Sequence, residues 1–291
     1  RLSIKQKLIL IVTFPFLIAL YFITHHSIAL QLQVTELEQH RQLALINKQA
    51  SLLVHELQLE ASYAAGLLNG DGFTFSEELN GQIQYSEQAL LAWQDTLTSL
   101  NIQQASALKL IEQLEPMLDQ LTAFRLEVLE LTMEAEQAIN FYHALNSTLL
   151  DFSLLIFQQS NNPELANSAS LLYYLQMNKE RAALERSILV ATFLPDHFTD
   201  TLRQRFIGYL SDQQTLVELT QHYVNNTTQS SIIEATIQAS KETELNRARD
   251  RALSRKHSFN ESPQKWLSTA TDYQHKLKEQ TLKAQDLLQN Q

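Results

Sequence analysis

The sequence predicts an all-α protein: an N-terminal transmembrane helix followed by eight helices in two stacked four-helix bundles. Turn signals are scarce, with five Gly and five Pro in 291 residues, so few points exist at which regular structure must stop. Apolar residues recur at alternating steps of three and four along most of the chain, the spacing of a helix face. The length is more than one helical core normally fills. The predicted boundaries are an anchor over 1–30, a first bundle over 31–162 and a second over 163–291.

The anchor rests on Leu8 to Ile23, an apolar run interrupted only by Thr13, Pro15 and Tyr21. At 1.5 Å per residue it covers about 24 Å, slightly under the ~30 Å of a hydrocarbon core. Arg1, Lys5 and Lys7 precede it, so the positive-inside rule puts that end in the cytoplasm and everything after Ser27 outside. A cleaved signal peptide is the rival, with Ser27-Ile28-Ala29 as a small-x-small site. The run passes straight into helical periodicity, which favours an anchor that stays attached. The chain is therefore expected to be part of a longer receptor in a bacterial inner membrane, with this part periplasmic and an output module after residue 291.

The first bundle helix is predicted over Gln31 to Leu68 and stops at Asn69-Gly70-Asp71-Gly72, where glycine accepts the left-handed turn after a helix. Thr74 with Glu77 is a capping-box pattern for the next helix, which carries Trp93 and ends near Leu100. A third starts near Gln103 and is bent or restarted at Pro116, because proline lacks a donor and crowds the preceding turn. The fourth, about Glu134 to Gln159, ends at Asn161-Asn162-Pro163. The second bundle follows as Pro163 to Phe193, Thr199 to Val224, Thr228 to Ser254 and Ser262 to Asn290, with Pro263 in a first turn where its missing N–H does no harm.

Composition also bears on chemistry. A net charge of -10, with no basic stripe outside Arg247 to Lys256, argues against a nucleic-acid partner. No cysteine is present, which removes thiolate and disulfide chemistry. His55-Glu56 opens an HExxH-like pattern, but Leu59 stands where the second histidine belongs. No phosphate loop and no G-x-S-x-G occur. The expectation is a binding protein, neither enzyme nor cofactor carrier.

One helix departs from the ordinary pattern. Leu172, Leu175, Lys179, Ala182, Arg186, Leu189 and Phe193 form one stripe, so two cations two turns apart, roughly 10 Å, face an interior where charge is costly unless paired. They either snorkel or pair with interior glutamates, Glu60 or Glu56 being the expected partners, or they hold a small anion.

Three stretches resemble the bacterial nitrate- and nitrite-sensing (NIT-type) sensor family. Leu53-Val54-His55-Glu56-Leu57-Gln58-Leu59-Glu60 with Ala64-Ala65-Gly66-Leu67-Leu68 is similar to the family's LxxELQxERGxSAGxL helix. Lys179-Glu180-Arg181-Ala182-Ala183-Leu184-Glu185-Arg186 is similar to its KExxGxER helix, and Trp266 with Thr269 and Thr271 to its late tryptophan helix. The resemblance implies two four-helix bundles, a small polar or anionic ligand such as nitrate or nitrite, and an arginine from each motif helix gripping it. Arg186 keeps the second arginine. The first falls at Ala61, with Ser62 in place of the following glycine, and the family glycine of the second motif is Ala183. The implied ligand set is therefore Arg186 and Lys179, lined by Ala61, Ser62 and Tyr63. With one arginine gone, nitrate is expected to bind weakly and the interior to lean acidic through Glu60, Glu180 and Glu185. The resemblance further implies a membrane signalling receptor, a chemoreceptor before a kinase or cyclase, working as a homodimer. The alternative is a ligand-free helical spacer or dimerisation stalk.

Overall fold

The computed structural model describes residues 4–70, 72–159 and 162–289. Arg1, Asp71, Asn161 and Asn290, to which the sequence assigned a flanking charge, a turn, a helix stop and a helix end, lie outside the described residues. Among those described, nine α-helices and one short 3₁₀ turn account for the regular structure: α1 Ile4–Asn69, α2 Ser76–Ser99, α3 Ala105–Leu129, α4 Ala135–Gln159, α5 Pro163–Phe193, α6 Asp200–Thr220, the turn Gln221–Tyr223, α7 Thr227–Ser240, α8 Thr243–Ser254 and α9 Pro263–Gln289. The chain is all-α, as its composition predicts.

Two helices divide differently from the prediction. The apolar run and the first motif helix are one element, α1, with Pro15 inside it. No glycine, proline or capping pattern stands between Ser27 and Gln31 to end the helix. The predicted helix Thr228 to Ser254 is instead two, α7 and α8. Lys241 closes α7, and the side-chain amide of Asn246 donates to the freed Ser240 carbonyl (3.0 Å). Pro116 lies inside an unbroken α3. The predicted capping box also gives way. Residue Phe75 occupies the cap position of α2 with φ 67°, its ring 5.9 Å from that of Tyr63. Burying this ring takes precedence over capping, and Gly66 allows it, since a Cβ there would sit 2.4 Å from the Phe75 ring.

Contacts group the residues up to Gln42 into one unit and those from Leu43 onward into another. In the first, Phe14, Phe16, Leu17, Tyr21, Phe22 and Ile23 are exposed. Over Thr13–Asn69 this is a helix long and apolar enough to cross a membrane, by length and composition.

In the second unit α5 packs against α4, α6 and α9. Hydrogen bonds fix its register with α1 and α9. Gln58 meets Lys179, Ser62 meets Arg186, and Asn69 donates to the Ala191 carbonyl, so α1 and α5 run parallel. Bonds of Gln285 to the Ala44 carbonyl and Gln274 to the Lys179 carbonyl make α9 antiparallel to both. Two apolar clusters fill this unit. One holds Leu53, Leu57, Trp93, Leu121, Leu145 and Leu172; the other holds Ile188, Phe193, Phe206, Leu245 and Trp266. On α5 the first ends at Leu175 and the second begins at Ala182. Between them Gln176, Asn178, Lys179 and Glu180 are buried, and this polar layer carries the site.

Candidate functional site

Both seam cations point inward, as the stripe predicts. Lys179 is 3% exposed and Arg186 1%. Their partners are neutral. Lys179 Nζ donates to Gln58 Oε1. Arg186 Nε donates to Ser62 Oγ (2.9 Å) and its Nη1 to Thr271 Oγ1 (3.3 Å), while the Arg186 carbonyl accepts from the Trp266 indole (3.1 Å). Ser62 Oγ also lies 2.9 Å from Ser187 Oγ.

The expected pairing with Glu60 or Glu56 does not occur. Glu60 is fully buried and held by Arg125, with Arg125 Nε 2.6 Å from its Oε1 and Nη2 2.9 Å from its Oε2, and Tyr142 also donates to it (2.7 Å). Glu56 accepts from Gln82 (2.9 Å) and lies 3.9 Å from Lys278. Glu185 accepts from Nε and Nη2 of Arg249, each at 2.7 Å, and from Gln213. Thus two of the three surviving motif glutamates carry their own arginine. The expectation of an acidic interior is corrected in part: among the described residues Glu60 and Glu185 are neutralised by arginines, Glu180 meets only Gln58 and the His143 ring, and the buried cations Lys179 and Arg186 have neutral partners.

Sequence reading missed Arg125 and Arg249 because they sit in helices that matched no motif. The same seam signal was present. Leu121, Arg125 and Val128 step by four and three, as do Leu245, Arg249 and Ala252.

Electrostatics follow the geometry. Burial pushes the Lys179 ammonium down to about 7; Glu180 and Glu56 oppose this, and Lys278 and Arg186 add to it. Burial likewise lowers Arg186 to about 10, against the opposing pull of Tyr63 and Glu180. His55, its ring 5.6 Å from that of His275, is pushed far below the usual histidine range by burial and then by Lys179, Lys278, Arg186 and His275. Arg125 shows the opposite outcome. Burial works against its charge, but the hydrogen bonds and field of Glu60 raise it above its ordinary value. Where Arg125 and Arg249 have carboxylate partners, Arg186 and Lys179 have neutral ones.

Of the other residues in the implied set, Ser62 touches Arg186, and Tyr63 is partly buried with its ring against Phe75. Ala61 lines a small cavity between α1, α4 and α5 that neither cation borders. That space admits one water-sized group, so an arginine at 61 requires repacking.

Residues 52–289 match the family described as nitrate and nitrite sensing. The chain belongs to that family. A nitrate regulatory protein of Klebsiella oxytoca is 27% identical over 187 residues, 64% of this chain and 47% of that protein. The chain thus spans about half the length of that curated relative. The solved structure of the NasR transcription antiterminator superimposes with a TM-score of 0.81 over 93% of this chain and 74% of that one, at 22% identity, which speaks for the fold.

These relatives correct two expectations. A membrane chemoreceptor or similar receptor, with a periplasmic sensor, does not fit a family whose matched members are a nitrate regulatory protein and a transcription antiterminator. The exclusion of nucleic acid is overturned by the likeness to an antiterminator. Net charge describes only what the surface of this stretch attracts, and says nothing of the work of the larger protein to which such a domain belongs.

Proposed function

We propose that the unit from Leu43 onward senses a small planar anion, nitrate or nitrite, for a regulator, by binding and without catalysis. The observation that carries this reading is the pair of buried cations, Arg186 and Lys179, whose partners are neutral. Their acceptors, Gln58 and Ser62, stand one turn apart on α1, about 6 Å of helix rise. That spacing brings both cations to one stretch of the α1–α5 interface, and a trigonal anion with a charge-assisted hydrogen bond of about 2.8 Å to each is the counter-ion this reading assigns them. Lys179 thereby takes the part of the arginine missing at Ala61. Calorimetric titration of the full chain with nitrate, nitrite, chloride, acetate and amino acids tests this. Nitrate or nitrite binding that disappears in Arg186→Met is expected; no binding of any anion would leave a ligand-free helical spacer.

The Lys179 ammonium makes binding depend on pH. An anion favours the protonated amine, so affinity falls as pH rises through about 7, and Lys179→Met flattens the profile. Ligand-free stability moves the other way. The unfolded chain keeps this proton up to about 10.4 while the folded chain releases it near 7. Protonation therefore penalises the fold fully below about 7, and the penalty fades as pH rises from there to the unfolded value. Titrations and urea unfolding on both sides of neutrality read the two opposed trends.

The apolar residues exposed in the first unit favour attachment of this segment to a bilayer, because a contiguous surface of this kind is seldom left in water. The full chain is expected in the membrane fraction and resistant to alkaline extraction. Recovery in the soluble fraction would remove this reading and leave the anion site untouched.

A further inference from the structure

Neither Lys179 nor Arg186 lines the cavity at Ala61. It is bounded by Gln58 and Ala61 of α1, Tyr142, His143 and Asn146 of α4, and Glu180 of α5 among others. Two of these groups are incomplete. Asn146 is 2% exposed and its Oδ1 has no hydrogen-bond partner, a costly condition for a buried acceptor. Glu180 is 1% exposed and, unlike Glu60 and Glu185, has no arginine or lysine in ion-pair contact among the described residues. Its partners are the Gln58 amide (2.6 Å) and the ring of His143 (3.0 Å), which is partly open to solvent.

We infer that this cavity is a binding site for one ammonium-type group, either free ammonium or the amine head of a small zwitterion. Size and chemistry agree. The space admits one water-sized group, and an ammonium nitrogen is of that size. Its N–H groups suit an acceptor-rich wall: the Asn146 Oδ1 without a partner, the Glu180 carboxylate and the lone pairs of the Ser187 hydroxyl, which also lines it. A guanidinium does not fit. Water satisfies Asn146 but leaves the Glu180 charge without a cation whenever the His143 ring is neutral. The polar layer then has two complementary halves about the Gln58 side chain, which donates to Glu180 and accepts from Lys179. Cations without a counter-ion lie on one side, and a carboxylate without a permanent cation lies on the other. The two halves share the Gln58 side chain, but the groups that would hold the ammonium, Asn146 and Glu180, are not those that would hold the anion, so each reading has its own test.

Thermal unfolding of the full chain in ammonium chloride, against sodium chloride and potassium chloride at equal ionic strength, tests the inference without nitrate. A saturable rise in melting temperature with ammonium alone is expected. Asn146→Leu and Ala61→Val are expected to weaken it about tenfold to a hundredfold, the loss of hydrogen bonds to a charged group, while an unchanged helical circular-dichroism signal and cooperative melting in sodium chloride show that both variants fold. A parallel arm with glycine and small amines distinguishes the sources: stabilisation by glycine and not by ammonium chloride assigns the site to the head of a zwitterion. No response to any of them, or the same response in both variants, overturns the inference and leaves a water-filled cavity.

Discussion

Replacing Arg186 by methionine is expected to stabilise the ligand-free domain and abolish its response to nitrate. Arg186 is almost fully buried and bonded only to neutral groups, and burial lowers its pKa to about 10. The desolvation penalty of a buried ion is several kcal/mol and is recovered only through a well-placed counter-charge. Methionine fills much of the same volume without that penalty. Ser62 keeps Ser187 and the Gln58 carbonyl as partners, so little is left unsatisfied. A gain of about 1–3 kcal/mol is expected, within the range seen when buried charges give way to apolar residues. Nitrate at a hundred times its dissociation constant should stabilise the unaltered protein by about 2.7 kcal/mol and the variant not at all. Urea unfolding with and without nitrate measures both. A variant less stable than its parent in the absence of ligand would mean that Arg186 is a structural group whose neutral partners suffice.

The helix that carries this residue was the most legible part of the chain. Pro163, the seam and the Leu194-Pro195 break delimit α5 by sequence alone, and the Asn162 side chain caps it at Glu164. Its inward face could be read because a stripe of period 3.6 places Lys179 and Arg186 beside leucines whatever their charge. Boundaries without such chemistry could not be read. Ser240-Lys241-Glu242-Thr243 contains neither glycine nor proline, and the division of α7 from α8 depends on tertiary packing. At the other end nothing marks the passage from apolar run to motif helix, because α1 does not stop there.

The site was legible in its cations and not in their partners. Spacing says which side chains of one helix face inward, but not which helix lies opposite. Glu60 and Glu185 sit in motif helices near the seam cations in pattern, yet α3 and α8 deliver Arg125 and Arg249 to them. Arg249 lies within the charged run Arg247 to Arg251 and reads as surface charge, while Arg125, between Phe124 and Leu126, carried the seam signal but no motif to draw attention to it. Only three-dimensional pairing shows that Glu60 and Glu185 are already neutralised, so neither is free to pair with Arg186 beside Ser62.

The same substitution at Arg125 is expected to have the opposite sign. Arg125→Met leaves Glu60, fully buried, with the Tyr142 hydroxyl as its remaining donor, and Glu87 also loses its partner at the rim. Breaking a buried pair by removing one member is expected to lower stability by about 3–5 kcal/mol, because the stranded charge keeps its desolvation penalty. Adding Glu60→Gln removes that charge and should return much of the loss, so the two substitutions couple strongly in a double-mutant cycle. Urea midpoints at unchanged slope report the four stabilities. If Arg125→Met is as mild as an exposed substitution, or if Glu60→Gln deepens the loss, the pair does not carry the load assigned to it. Methionine stabilising at 186 and destabilising at 125 is the experimental signature of an interior that pairs Arg125 with Glu60 and leaves Arg186 open for an anion.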